Sequence, residues 1–184
     1  MGKDTDISKF LSFVLRHDPG SIGLSLDSAG WADVRELLTL MERAGRGVNE
    51  ATLRRVVAES DKKRFTFSDD GRRIRAAQGH SVSVELGLEA REPPDVLFHG
   101  AAEGSVAAIL AEGLKPMARR HVHLSVSLDA ARKVGERHGR PVVFVVDALR
   151  MWRDGLAFFQ ADNGVWLTDH VPRSYLTRAE ARAI

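Results

Sequence analysis

The sequence predicts an α+β fold in two lobes, and three observations lead to this class. Helical periodicity, with apolar residues three and four positions apart, runs through the first third of the chain and ends in an alternating hairpin. Short apolar strands dominate the second half. A charged segment with a Pro-Pro pair, residues 87–95, separates the two textures. We therefore expect one lobe over residues 1–90 and a second over residues 91–184.

Composition narrows the functional classes. The 184 residues are 43% hydrophobic and 28% charged, which is typical of a soluble globular protein. No apolar run is long enough to span a bilayer, and the N-terminus lacks the apolar core of a signal peptide, so we expect a cytoplasmic protein. The absence of cysteine excludes disulfides, thiolate catalysis and cysteine-ligated metals.

Charge is distributed unevenly along the chain. The net charge is only +2, but eight Lys and Arg residues face four acids between Thr52 and Arg75. A second basic segment, Lys115 to His123, contains no acid. These two segments are where we expect an anionic partner to bind.

The first lobe begins with an amphipathic helix that Asp6 could cap and that ends before Pro19. Arg16 and His17 then occupy its last turn. Its inward residues are Ile7, Phe10, Leu11 and Val14.

Further elements follow in the first lobe. The alternating stretch "IGLSL" (22–26) predicts a short strand, and "DSAG" (27–30) a turn. A third helix is expected from Asn49. The apolar residues that mark the second helix, which ends near Gly45, are Trp31, Val34, Leu37, Leu38 and Met41; those of the third are Leu53, Val56 and Val57.

The segment "RFTFSDDGRRIRA" (64–76) predicts a β-hairpin whose turn is Asp70-Gly71. If Phe65 and Phe67 face the core, the open face carries three arginines. These are Arg64, Arg73 and Arg75. Three helices and a hairpin suggest a winged-helix unit, an architecture often used on nucleic acids. A solvated wing arginine is the simpler interpretation of Arg64 alone.

The second lobe is predicted to be rich in strands, with helices over residues 105–112 and 128–138. Asn163-Gly164 predicts a hairpin turn. The expected strands are "VLFHG" (96–100), "HVHLS" (121–125), "VVFVVD" (142–147), "LAFFQ" (156–160) and "VWLT" (165–168). The aromatic residues expected in the core are Trp152, Phe158, Phe159 and Trp166.

Histidines of these strands are candidate site residues with more than one interpretation. His99 is either satisfied at a strand end or placed at a pocket rim, where Gly100 would admit a ligand. With Val122 and Leu124 inward, the opposite face holds His121, His123 and Ser125. This is a polar binding strand or a His-x-His metal pair, and we favour the first because no other histidine has ligand spacing. Neither a P-loop nor a Rossmann fingerprint is present.

Six motifs taken in order resemble the RNA 2′-phosphotransferase family, also called KptA. They are "LSFVLRH", "SLDSAGWADVRELL", "DKKRF", "IRAAQGHS", "LFHGA" and "MARRHVHLS", and the similarity extends from about residue 7 to about residue 169. The resemblance implies a winged-helix RNA lobe and an ADP-ribosyltransferase-like NAD lobe. It also implies an NAD-dependent enzyme that removes an internal 2′-phosphate from RNA through an ADP-ribosylated intermediate.

The resemblance also implies roles for individual residues, and it assigns no metal; we expect a monomer that acts on NAD and 2′-phosphorylated RNA. The implied catalytic residues are Arg16, His17, Arg64 and Arg119, with Arg120 outside the matching position. The cofactor-binding residues are His99, Gly100, His123, Leu124 and Ser125. For RNA binding we expect Arg73, Arg75, His80 and Ser81. Ala101 stands where the family usually has threonine, so one hydroxyl contact to NAD would be missing.

Two other functions compete with this interpretation. A non-catalytic winged-helix regulator would explain the basic hairpin but not the histidine-bearing strands. An ADP-ribosyltransferase that stops at modified RNA or DNA ends would leave the adduct in place.

Overall fold

The computed structural model describes residues 3–60 and 63–179 of the chain. Two residues of the "DKKRF" motif, Asp61 and Lys62, therefore lie outside the described residues. The chain divides into two compact units, unit 1 ending at Leu88 and unit 2 beginning at Glu89. No helix within the described ranges is long and apolar enough to cross a membrane.

Unit 1 contains three helices, α1 Lys3–Arg16, α2 Val34–Arg43 and α3 Glu50–Ala58. The side chain of Asp33 accepts hydrogen bonds from the first turn of α2, and Asn49 does the same for α3. These caps satisfy amide groups that have no partner inside the helix. The predicted cap at Asp6 was wrong: α1 begins earlier, and Asp6 lies in its first turn beside Asp4, where both acids favour the helix dipole.

The segment after α1 differs from its prediction. Pro19–Ile22 forms a 3₁₀ turn, with the Asp18 side chain accepting from the Ser21 amide, and Gly23 ends it at a φ of +72°. The predicted strand at residues 22–26 is therefore absent from the described fold, because proline and a left-handed glycine redirect the backbone before any partner strand is reached. Trp31 also precedes α2 rather than starting it, since a short strand intervenes.

The sheet of unit 1 is antiparallel with strand order β1-β3-β2, where β1 is Ala32–Asp33, β2 is Phe65–Phe67 and β3 is Arg73–Ala76. The predicted hairpin is confirmed, with Thr66 opposite Arg75 and the φ of Gly71 at +67°. Its inner face packs on the three helices. The buried residues of that face are Ala32, Phe65, Ile74 and Ala76.

Unit 2 is built on two antiparallel sheets, which confirms the mixed helix and strand class. One has the order β4-β6-β9 and the other β5-β8-β7. A backbone pair between Phe98 and Ser125 joins β4 to the end of β5, with both N–H···O distances 2.8 Å. The strands are β4 Val96–Ala102, β5 Val122–Leu124, β6 Pro141–Asp147, β7 Phe159–Gln160, β8 Trp166–Thr168 and β9 Leu176–Arg178.

Three helices accompany these sheets: α4 Val106–Glu112, α5 Leu128–Gly135 and α6 Ala148–Arg153. The first two were predicted, whereas α6 and β9 were not. Phe158 and Trp166 are buried in the core as expected, but Trp152 and Phe159 are only partly buried.

Helix α5 packs so closely on β4 that position 100 has no room for a side chain. A Cβ atom on Gly100 would overlap the carbonyl oxygen of Ala131 in α5. Gly100 was predicted to admit a ligand, but the space left by its missing side chain is occupied by helix α5. The backbone of Gly100 still lines the cleft described below.

Replacing Gly100 by alanine is expected to destabilise the fold by about 2 kcal/mol, because α5 or β4 must shift to admit the methyl group. Chemical unfolding of the variant measures this loss. Gly104→Ala is the matched control, since a Cβ there meets open space. Equal stability of the two variants would contradict the packing role.

Candidate active-site residues

Arg16 and His17 lie at the carboxyl end of α1, where Arg64 contacts Arg16. Nη2 of Arg16 donates to the carbonyl oxygen of Arg64 at 3.2 Å, and its guanidinium carbon lies 5.8 Å from the centroid of the Phe65 ring. Two adjacent predicted catalytic residues and a third that follows Arg16 by 48 positions are therefore neighbours within unit 1. Because the Arg64 carbonyl also accepts the Ala77 amide, the hairpin holds it in place.

The segment at residues 79–82 closes over the same helix end. The amides of Ser81 and Val82 donate to the Arg16 carbonyl at 2.9 and 3.3 Å, which satisfies a helix-end acceptor. Oγ of Ser81 lies 3.0 Å from Nδ1 of His17. This contact fixes the imidazole ring and turns Nε2 away from Ser81. Ser81, predicted to bind RNA, contacts a candidate catalytic histidine.

His80 is buried beneath this pair rather than exposed to a partner. Its side chain is 4% exposed, and Nε2 has no hydrogen-bond partner among the described residues. Burial, followed by the positive charges of Arg16 and Arg75, lowers the pKa of His80 to about 4. Direct RNA contact by this side chain, as predicted, does not fit its burial.

The other two predicted RNA contacts, Arg73 and Arg75, flank Trp31. Their guanidinium carbons lie 5.3 and 4.5 Å from the Trp31 ring, and Arg75 also donates to the Leu86 carbonyl. Arg73 stays about half exposed beside Asp27, with 3.5 Å between Nη1 and Oδ2. Sequence analysis missed this Trp31 stack, which antiparallel pairing of β1 with β3 would have indicated.

The half-buried Arg64 lies directly before strand β2. With His17 it lines a groove of about 530 Å³ between α1 and the end of α3. No hydrogen bond or ion pair to the Arg64 guanidinium is made within residues 3–60 and 63–179. The open-face position predicted for this arginine agrees with this geometry.

Unit 2 has a cleft of about 570 Å³ that gathers most of its predicted site residues. Nδ1 of His99 lies 3.0 Å from the carbonyl oxygen of His123, so the strand pair β4 and β5 fixes the first ring. Nε2 of His123 is buried with no partner in the described chain. The exposed Arg119 also lines the cleft.

Both cleft histidines are held in the neutral form. Burial, followed by the charge of Arg119, lowers the pKa of His123 to about 3. Burial also lowers the pKa of His99, against the opposing effect of its bond to the His123 carbonyl. At neutral pH the cleft therefore offers these two uncharged imidazoles and the Arg119 guanidinium, beside an ion pair of Lys115 with Glu112.

Strand β5 alternates as predicted. Val122 and Leu124 are buried, while His121 and His123 lie on the opposite face. The Leu124 side chain is 1% exposed, so a contact to a cofactor can come only from its backbone. The backbone of Ser125 is already paired with Phe98.

His121 contacts Asp169 at 3.6 Å and the Phe159 ring at 5.8 Å between centroids. Among the residues described, no three His, Asp or Glu side chains cluster as metal ligands. Sequence analysis missed Met117 at the cleft: it is 88% exposed and has a φ of +56°, a conformation that side chains rarely adopt. Only its position after a proline hinted at an unusual turn.

Arginines and histidines grouped in this way are suited to an enzyme that transfers phosphate, since guanidinium groups bind phosphate oxygens bidentately. The family model described as RNA 2′-phosphotransferase, Tpt1 / KptA family, matches residues 2–170. The chain belongs to this family of transferases.

Curated relatives agree with this assignment. A probable RNA 2′-phosphotransferase of Agrobacterium fabrum is 62% identical over 94% of this chain and 93% of its own length. Proteins of the same name from Burkholderia lata and Acaryochloris marina are 52% and 49% identical, over 97% and 95% of this chain and 93% and 96% of their own lengths.

The low pKa of His80 predicts that the free energy of unfolding depends on pH. In the unfolded chain a histidine binds its proton near pH 6.5, whereas in the native state it does so near 4. Between these values the unfolded state binds more protons, so stability falls as the pH is lowered from 6.5 to 4.

Between pH 6.5 and 4, we expect the free energy of unfolding of His80→Gln to fall by about 2 kcal/mol less than that of the wild type. Denaturant unfolding at a series of pH values measures it, with the exposed His170→Gln as control. Parallel curves for the wild type and His80→Gln would contradict the prediction.

Proposed function

We propose that this chain is an NAD-dependent enzyme that removes an internal 2′-phosphate from RNA, such as that of a tRNA splice junction. In this proposal unit 1 is a winged-helix RNA lobe and unit 2 is an ADP-ribosyltransferase-like NAD lobe. The main support is the grouping of Arg16, His17 and Arg64 within one unit of a chain that belongs to the RNA 2′-phosphotransferase family.

The cleft of unit 2 fits NAD in size and in chemistry. Its volume of about 570 Å³ falls within the usual range for small-molecule sites. Nε2 of His123, which has no hydrogen-bond partner among the described residues, is a polar atom available to a ribose hydroxyl or an amide. We assign His99, Gly100 and His123 to NAD, with Ser125 near the end of the strand and Leu124 through its backbone only. Bound NAD would supply the ADP-ribose group and a cationic nicotinamide leaving group.

In the first proposed step an oxygen of the RNA 2′-phosphate bonds to the nicotinamide-ribose C1″, and the bond to nicotinamide breaks. The nucleophile is already an anion and the leaving group is a cation, so no strong general base is needed. Orientation and charge complementarity are sufficient. We assign the phosphate to Arg16, Arg64 and Arg119.

In the second step the ribose 2″-hydroxyl oxygen bonds to phosphorus, and the bond from phosphorus to the RNA 2′-oxygen breaks. One proton leaves the attacking hydroxyl and one reaches the departing oxygen. His17 is the proposed group for this transfer, since its ring is oriented by Ser81. The products are RNA with a 2′-hydroxyl and ADP-ribose 1″,2″-cyclic phosphate.

Mass spectrometry of a reaction with NAD and a 2′-phosphorylated RNA tests the proposal. Nicotinamide, 2′-hydroxyl RNA and the cyclic phosphate should form together, and the same RNA without the 2′-phosphate should give none of them. A lasting ADP-ribosylated RNA would instead identify an enzyme that stops at the adduct. Release of no nicotinamide would reject the NAD chemistry.

Two adjacent arginines provide a matched pair for the catalytic assignment. We expect Arg119→Ala to lower kcat by about 10²-fold to 10³-fold, because a group that stabilises charge in the transition state is lost. Arg120→Ala removes the same charge one residue further on and is expected to keep activity within a few-fold. Similar losses in both variants would reject the specific role of Arg119.

Ser81 is expected to position His17 rather than to touch the phosphate. Ser81→Ala should lower kcat by about 10-fold, since the ring loses its fixed orientation, with a smaller change in KM for RNA. Ser81→Thr keeps a hydroxyl and should restore most of the rate. If the alanine variant raises KM alone, Ser81 binds RNA as first predicted.

A further inference from the structure

The groove of about 530 Å³ on unit 1, here called the α1 groove, extends well beyond the candidate catalytic residues. His17 and Arg64 lie on its wall, and the face of α1 continues from them toward the start of the helix. Lys9, Phe13 and His17 follow one another at four-residue intervals, so they form one row on that face.

The charges of the α1 groove favour an anion. Its two acids, Asp4 and Glu59, are both held by Arg55: Nη1 and Nη2 lie 2.6 and 2.9 Å from Asp4, and Nη1 lies 3.2 Å from Glu59. Lys9 and Arg64, in contrast, make no ion pair with any residue that the structure describes. Counted together, Arg55, Lys9 and Arg64 supply three positive charges against two carboxylates, so one net positive charge remains, and Lys9 and Arg64 are left for a ligand.

The uncharged side chains of the groove favour a particular kind of anion. Phe13 is 44% exposed although it is a large aromatic residue on a packed helix. Ser60 places a buried Oγ at the groove with no hydrogen-bond partner among the described residues. Three further residues that carry hydroxyls, Thr5, Ser8 and Ser12, line the same groove. Aromatic rings, hydroxyls and separated cations are what proteins use to bind single-stranded RNA.

We propose that the α1 groove binds the nucleotides next to the 2′-phosphate of a single-stranded RNA segment. Phe13 stacks on a base, and Lys9 contacts a backbone phosphate about 12 Å from His17 along the helix. That distance corresponds to a few nucleotides of a single strand. The inference rests on the proposed function for the position of the 2′-phosphate.

Fluorescence anisotropy measures RNA binding by the α1 groove directly and needs no NAD. The probe is a labelled single-stranded RNA of about ten nucleotides that carries one internal 2′-phosphate. Phe13→Ala is expected to weaken its binding by about 5-fold to 100-fold, the usual loss for one stacked base. Phe13→Tyr should retain affinity, whereas Phe13→Leu should not, because leucine supplies apolar area without an aromatic face.

Lys9→Ala tests the contact with a phosphate of the RNA backbone. The control is Arg43→Ala, which removes the same charge from the exposed face of α2. The lysine variant should bind more weakly and lose about 0.7 from the slope of log affinity against log salt concentration. The arginine variant should keep the wild-type slope. In turnover assays the groove variants should raise KM for RNA and leave KM for NAD unchanged.

The outcomes separate this proposal from the reaction itself. In one outcome the wild type converts the RNA while the Phe13 and Lys9 variants bind it as Arg43→Ala does. That result would reject RNA binding by the α1 groove and leave the proposed reaction intact. If NAD is not consumed, the reaction fails, and the anisotropy series still decides whether the groove binds RNA. Equal affinity of Phe13→Leu and Phe13→Tyr would overturn the stacking contact alone.

Discussion

The arrangement of unit 1 depends on the last carbonyl of helix α1. The Arg16 carbonyl receives the amides of Ser81 and Val82, and the Arg16 guanidinium donates to the carbonyl of Arg64. One residue therefore ties the helix end to the segment before the linker and to the hairpin. Each of these contacts ends on a backbone carbonyl, so the backbone at His17 and Arg64 is held by the helix end and the hairpin, with one side-chain donor, Arg16, between them.

A comparable constraint operates in unit 2, where strands β4 and β5 meet. The reciprocal amide bonds of Phe98 and Ser125 place His99 beside the carbonyl of His123. Burial then keeps both rings uncharged. Glu112 and Lys115 at the cleft pair with each other, so the net charge of the cleft lies on Arg119, which is exposed and able to reach a ligand. The uncharged hydrogen-bonding groups and the positive charge of the cleft therefore belong to different side chains.

Much of this organisation was predictable from the sequence, because periodicity and turn chemistry are local. The hairpin around Gly71 and the alternation of β5 were confirmed for that reason. The strand at residues 22–26 failed because alternation alone does not supply a partner strand. Strand β9 and helix α6 were missed, since each is short and depends on packing against β6 and its neighbours.

Side-chain roles were harder to predict than elements. The motif residues of unit 1 were found by resemblance, and the structure brings Arg16, His17, Arg64 and Ser81 together. Burial could not be inferred from a motif, so His80 was placed on the surface. Gly100 was predicted to make room for a ligand. Its packing role could not be predicted locally, because the residue that occupies the space, Ala131 of α5, is 31 positions away in the sequence.

The buried histidines have a consequence for how such an enzyme responds to the pH of its surroundings. His80 and His123 remain uncharged down to pH values of about 4 and 3, and arginines stay charged throughout. A phosphate monoester loses its second proton near pH 6. Across the physiological range the charge of a phosphate monoester ligand would therefore change, while the charges of the two buried histidines and of the arginines stay constant.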